Sequence, residues 1–212
     1  TNESAKTAII ARATLGQAQA AAGQKLYAEA HQKLDQFVEK YAKSKLVIDA
    51  YELIVEVASE EGRVEKDDEL RKQYFNAAVR AIKRLRGHCK TQAEIDELDL
   101  RSGDVLVRKM EAEEAMNLKD KAKETCGLAA NAFIAFLMSH EPTAEHPAKD
   151  MTPAQLANLE RCYSSALPLM AKLGKEQTEM ILKYGDTYME LFPNGKHKTA
   201  VQNAVNQAKA DQ

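Results

Sequence analysis

The residues best suited to chemistry crowd into MSHEPTAEHP, residues 138–147, which holds His140, Glu141, Glu145 and His146 together with Pro142 and Pro147. Histidines and carboxylates this close could ligate zinc. The spacing argues against it. His140 and His146 are six apart, off one helical face, and Pro142 breaks any helix that would present both. Zinc-peptidase motifs set their histidines at i and i+4 on an unbroken helix. The stretch therefore reads as a loop between helices, and no metal is expected.

Other reactive-looking stretches fail on similar grounds. LGQAQAAAG (15–23) carries two glycines but follows no strand, so it is not a phosphate loop. RGHCK (86–90) sets Cys89 beside His88 and basic residues, where a thiol could be activated, but no third group orients it. The basic stretch 71–90 includes Arg80, Lys83, Arg84 and Arg86. Nucleic-acid binding would need aromatics interleaved on that face. Tyr74 and Phe75 are placed toward the core instead, so the basic face is expected to pair with the acidic EKDDE at 65–69. No nucleic acid, no cofactor and no catalytic residue are expected.

Composition narrows the class. Hydrophobic residues are 44% and charged residues 29% of 212, which supports a buried core. A formal charge of -2 gives no general attraction to polyanions. Nine Gly and five Pro are few for a chain of strands and turns. The three cysteines, at 89, 126 and 162, form no CxxC pair and are expected as partly buried thiols. The longest apolar stretch, 126–139, is too short to span a bilayer and includes Asn131, so no membrane insertion is expected. The chain starts at Thr1 with no signal-like segment, and we read it as a piece excised from a longer chain.

Apolar spacing is helical almost throughout. Leu26, Tyr27, Ala30, Leu34, Phe37, Val38 and Tyr41 share one face; Val47, Ala50, Tyr51, Ile54, Val57 and Ala58 share the next. Ser44 is expected to N-cap a helix over about 45–61, stopped by Gly62. Thr91 starts another, and Thr152-Pro153 reads as N-cap and first turn. About nine helices result. Landmarks recur at 37, 85, 136 and 188: Phe37 then Tyr41 and AKS, Leu85, Phe136 then His140 and EPT, Tyr188 then Phe192 and PNG. Two helices per interval of about 50 residues imply helical hairpins that bury their faces only by stacking.

Residues 15–62 resemble tetratricopeptide repeats, especially those of TolA-binding and outer-membrane-assembly lipoproteins. Leu15-Gly16 matches the Leu-Gly pair, Gly23 and Gly62 the helix-closing glycine, Tyr27 and Ala30 the start of the second helix. Phe37, Tyr41 and Ser44 match its end, with Ala42 in place of the usual proline, which Pro193 restores. Val55 stands where a glycine is expected. The resemblance implies an all-α, right-handed α-solenoid of stacked antiparallel hairpins. It would be one domain over 1–212, with hairpins at roughly 4–42, 45–87, 91–140 and 153–192 and a final helix at 197–210. Gly16 and Ala30 are expected to let paired helices approach.

The resemblance also implies a function: a non-enzymatic scaffold that binds a protein, peptide or helix in a concave groove. The alternative is a structural or assembly module of a larger cell-envelope or multi-subunit complex. It points to the cell envelope, with a cytoplasmic setting left open. Groove positions carried over from the family give Gln17 on the first hairpin and Asp49, Glu52 and Glu56 on the second. Spacings of three and four put those carboxylates on one strip, opposite Ile54 and Ala58, suited to a basic partner. Exposed apolar terminal faces would favour assembly, and polar ends a self-contained module.

Overall fold

A computed structural model describes residues 2–210, so Thr1, Asp211 and Gln212, the ends of the expected domain, lie outside the described residues. Among these the chain is all-α, with nine α-helices and no strand: α1 Asn2–Gly23, α2 Tyr27–Lys40, α3 Val47–Val64, α4 Asp68–Arg86, α5 Gln92–Ala115, α6 Lys119–His140, α7 Pro153–Leu173, α8 Thr178–Leu191 and α9 Lys198–Ala210. The helices fall into two compact units, Thr1–Lys90 and Thr91–Gln212. In the first, α1 packs on α2, α2 on α3 and α3 on α4. In the second, α5 packs on α6 and α6 on α7, while α7, α8 and α9 pack on one another. Consecutive packing through short turns is what a helical repeat requires.

Local chemistry sets the helix starts. The Asp67 side chain accepts from the Leu70 N–H at 2.9 Å and opens α4, with Asp68 and Glu69 in its first turn and Lys83, Arg84 and Arg86 in its last. Thr91 and Glu94 form a reciprocal capping box on α5, as Thr152 and Gln155 do on α7, where Pro153 takes the first helical position. Ser44 departs from expectation. Two tight turns wind the chain from Tyr41 to Val47, the helix starts at Val47, and Ser44 Oγ accepts from the Leu46 N–H instead of capping.

The glycines also depart from expectation. Gly62 does not stop α3; it is buried inside it, and a Cβ there would sit 2.9 Å from the Phe75 ring of α4. Gly103 of α5 receives Phe133 of α6 in the same way, and Gly185 of α8 receives Val205 of α9. Gly16 is exposed with nothing near it, so it has no part in helix approach, whereas Ala30 is fully buried. The Leu-Gly pattern identified the wrong glycine because close approach depends on which partner ring arrives, and the ring is distant in sequence.

Two kinds of turn occur twice, once in each unit. Lys25 and Asn117 both hold φ of 60°, followed by Leu26 and Leu118 with nearly identical backbone angles. In each, the leucine N–H donates five residues back, to Ala21 O or Glu113 O at 2.9 Å, which closes the preceding helix. The second kind follows α2 and α8. Tyr41 N–H donates to Phe37 O and Phe192 N–H to Tyr188 O, both at 2.8 Å; Ser44 to Tyr41 O and Gly195 to Phe192 O follow at 2.8 and 2.9 Å. The rings of each pair lie 5.2 and 5.3 Å apart. The landmarks Phe37, Leu85, Phe136 and Tyr188 are all buried. The Phe136 turn differs: α6 runs on to His140, whose ring stacks on Phe136 at 4.1 Å.

Candidate functional site

The carboxylate strip is exposed as its spacing requires. Asp49 lies in the first turn of α3, and Glu52 and Glu56 follow on the same outward line, while Ala50, Ile54, Val57 and Ala58 are buried. Gln17 is exposed on α1, whose inward line is Ala11, Leu15, Ala18 and Ala21. All four candidates thus face solvent on the first unit, from two helices.

One carboxylate of α3 turns inward, and sequence periodicity did not single it out. Glu61 is buried and its Oε2 lies 3.0 Å from His31 Nδ1 of α2. The hydrogen bond to Glu61 raises the His31 pKa above its ordinary 6.5, against the opposing effect of burial. The Tyr74 phenol is also raised, first by desolvation and then by Glu61. A related pair stands in the second unit, where His140 Nε2 lies 3.2 Å from Oδ1 of buried Asp96 and His140 Nδ1 lies 3.0 Å from the Phe136 carbonyl. The Gln92 amide also donates to Asp96, at 2.8 Å.

The stretch 138–147 is divided by its own geometry. His140 ends α6, whereas His146 is exposed in a loop that closes on itself, Thr143 N–H donating to His146 O and His146 N–H to Thr143 Oγ1. The two histidines face different surroundings, and no three His, Cys, Asp or Glu side chains converge among the described residues. Cys89 is half-buried, with Sγ 3.6 Å from Leu85 O. Cys126 and Cys162 are buried, and burial pushes both thiols up, away from the reactive thiolate. In the basic stretch Arg71 is buried and paired with Asp68 of the acidic segment, and Phe75 is buried against Gly62.

An opening in the first unit was not visible in the sequence. A cavity of about 950 Å³ lies between α1 and the turn joining α2 to α3. Ala8, Ile9 and Ala11 line it from α1, and Tyr41, Ala42 and Leu46 from the turn. Arg12, Lys40, Lys43 and Lys45 line it with a single carboxylate, Glu39. Ile9 is 69% exposed and its neighbour Ile10 44%. Residues 8–12 and 40–46 are far apart in the chain and only the α1–α2 hairpin brings them together. The sequence signal that remains, Lys43 and Lys45 in a turn, is too common to mark a site. No helix among the described residues is long and apolar enough to cross a membrane. No protein-family model and no curated protein matches this chain.

Proposed function

We propose that the chain is a tetratricopeptide-like, non-enzymatic scaffold that binds another protein through its first unit. One observation carries this reading: α1 leaves Ile9 and Ile10 outward, beside a groove open to solvent. Isolated surface apolar residues are ordinary, but an apolar wall rimmed by charge is how contact surfaces are built. The exposed strip Asp49, Glu52 and Glu56 adds a second, acidic element suited to a basic partner segment, steering encounter more than adding affinity.

A structural or assembly role within a larger complex is the second reading. The contrast between α1 and α9 favours it. The outward line of α9, with Lys198, Gln202, Asn203, Asn206 and Lys209, is polar, while α1 exposes isoleucine. A helix face that meets another surface keeps its apolar residues.

Partner recovery from the native host tests the scaffold reading with three versions of the full chain: unaltered, Ile9→Asp, and Glu52→Lys with Glu56→Lys. Ile9→Asp should lose specific partners and the α3 double variant should lose those that are basic, with helical content kept in all three. Recovery of the same partners by all three versions places the contact surface elsewhere and ends this reading. A stoichiometric complex that survives purification and depends on Ile9 supports assembly over transient peptide recognition.

A further inference from the structure

We propose that the groove between α1 and the α2–α3 turn takes an acidic, amphipathic segment of a partner protein, with apolar side chains on Ala8, Ile9 and Leu46 and carboxylates on Arg12, Lys40, Lys43 and Lys45. The inference rests on the scaffold reading and names the chemistry that one surface selects.

The groove carries a local excess of positive charge. Some cations outside the groove are paired within the protein, Lys33 with Glu29 at 3.4 Å, Arg63 with Glu60 at 2.9 Å, Lys172 with Glu114 at 2.9 Å and Arg161 with Glu97 at 3.3 Å; the groove instead gathers four cations against one carboxylate, Glu39. Around the groove Arg12, Lys40, Lys43 and Lys45 are all exposed, and none makes a hydrogen bond or ion pair among the described residues. Four cations gathered about one groove repel one another, and a ligand carboxylate relieves that repulsion. The gain is largest where the ligand also excludes water, because charge attraction strengthens as local dielectric falls.

The lining selects among anions. Aliphatic Ile9, Ala8 and Leu46 offer methyl groups, which suit Leu, Ile or Met side chains of an amphipathic segment. They offer no stacking platform for bases, and the one aromatic ring of the lining, Tyr41, is half-buried against Phe37. A volume of about 950 Å³ holds several side chains, more than a single phosphate or carboxylate needs. The overall charge of -2 gives no general attraction to an acidic partner, so any such attraction is local, and at this rim it stands beside an apolar wall.

The test is fluorescence anisotropy with the whole protein and a labelled synthetic peptide in which leucines alternate with aspartate and glutamate. Control peptides replace the acids with Asn and Gln, the leucines with Ser, or the acids with Lys. Binding of the first peptide should exceed each control by at least about tenfold. It should also weaken at least about tenfold from 0.1 to 1 M salt, as the screening length falls from ~10 to ~3 Å. Lys43→Glu with Lys45→Glu, or Ile9→Ser, should each lower affinity about tenfold or more, while Lys209→Glu on α9 should not; circular dichroism checks that all remain helical. Equal binding of the leucine-free acidic peptide, tighter binding to phosphatidylserine vesicles or an oligonucleotide, indifference to the Lys43/Lys45 reversal, or no binding each overturns the proposal. If the peptide fails while partner recovery still depends on Ile9, this inference falls and the scaffold reading stands. If the peptide fails and all three versions recover the same partners, both fall.

Discussion

The turn after α2 and the turn after α8 share one backbone ladder and one ring pair, yet their surroundings are opposite. After α8 the turn is sealed. The Tyr188 hydroxyl donates to Glu160 Oε1 at 3.1 Å, Phe192 joins Tyr163 at 6.4 Å, and Gly195 leaves no room for a side chain beneath that hydroxyl. After α2 the equivalent place is Ser44, Phe37 has no hydroxyl to hold, and the turn lines an open cavity with lysines on its rim. One local device therefore serves as closure in one unit and as a docking wall in the other. The difference lies in what a distant helix brings to the turn: α7 supplies Glu160 and Tyr163, and α1 supplies Ile9 and Arg12.

The largest effects should come from the shared core of the two turns. Phe37→Ala and Tyr188→Ala each truncate a fully buried ring and should cost about 3–5 kcal/mol in urea unfolding. The Tyr188 change should cost no less than the Phe37 change, because its hydroxyl is held by Glu160 and does not reach solvent. A loss below about 1 kcal/mol at either ring, the level of a surface substitution, would break the equivalence of the two turns.

The two third positions should then separate them. Gly195→Ala drives a methyl group into Tyr188 Oη and Glu160 Oε1 and should destabilise by about 1–3 kcal/mol. Ser44→Ala removes only an acceptor from the Leu46 N–H, on a half-exposed turn, and should cost about 1 kcal/mol or less. Equal costs at the two positions would mean that both turns are sealed and that the open cavity is misread.

A pH series sharpens the same contrast with a smaller effect. His31 has its folded pKa raised by Glu61, so the pair's contribution is full below about 6.5 and is lost as pH rises through the raised value. The urea midpoint of the unaltered chain should exceed that of His31→Gln most at pH 5.5, and the gap should narrow toward pH 8.5. A gap that stays constant would show that His31 contributes by packing alone.

What the sequence carried follows the range of each cause. Helix number, the helix starts at Thr91 and Thr152, and the buried landmarks at 37, 85, 136 and 188 depend on neighbours within a few turns, and local pattern expresses them. The exposed strip at Asp49, Glu52 and Glu56 was legible for the same reason. The helix start at Ser44 was misjudged by two residues because a double turn and an N-cap begin with the same residue types. Glu61, thirty residues from His31, and the groove, whose walls come from separate segments of the chain, depend on tertiary pairing that no local pattern encodes.

The rings lodged at Gly62 and Gly103 bear on uniqueness more than on strength. The buried faces of these helix pairs include many small residues, Ala50, Ala58 and Ser59 on α3, Ala78 and Ala81 on α4, and Ala122, Ala129 and Ala130 on α6, and faces so smooth could slide past each other by a turn, about 5.4 Å, at little loss of contact. A phenylalanine set into a glycine pit removes that freedom, because only one alignment places Phe75 over Gly62 or Phe133 over Gly103. Each pit thus acts as an index mark that tells one helix where along its neighbour to stop.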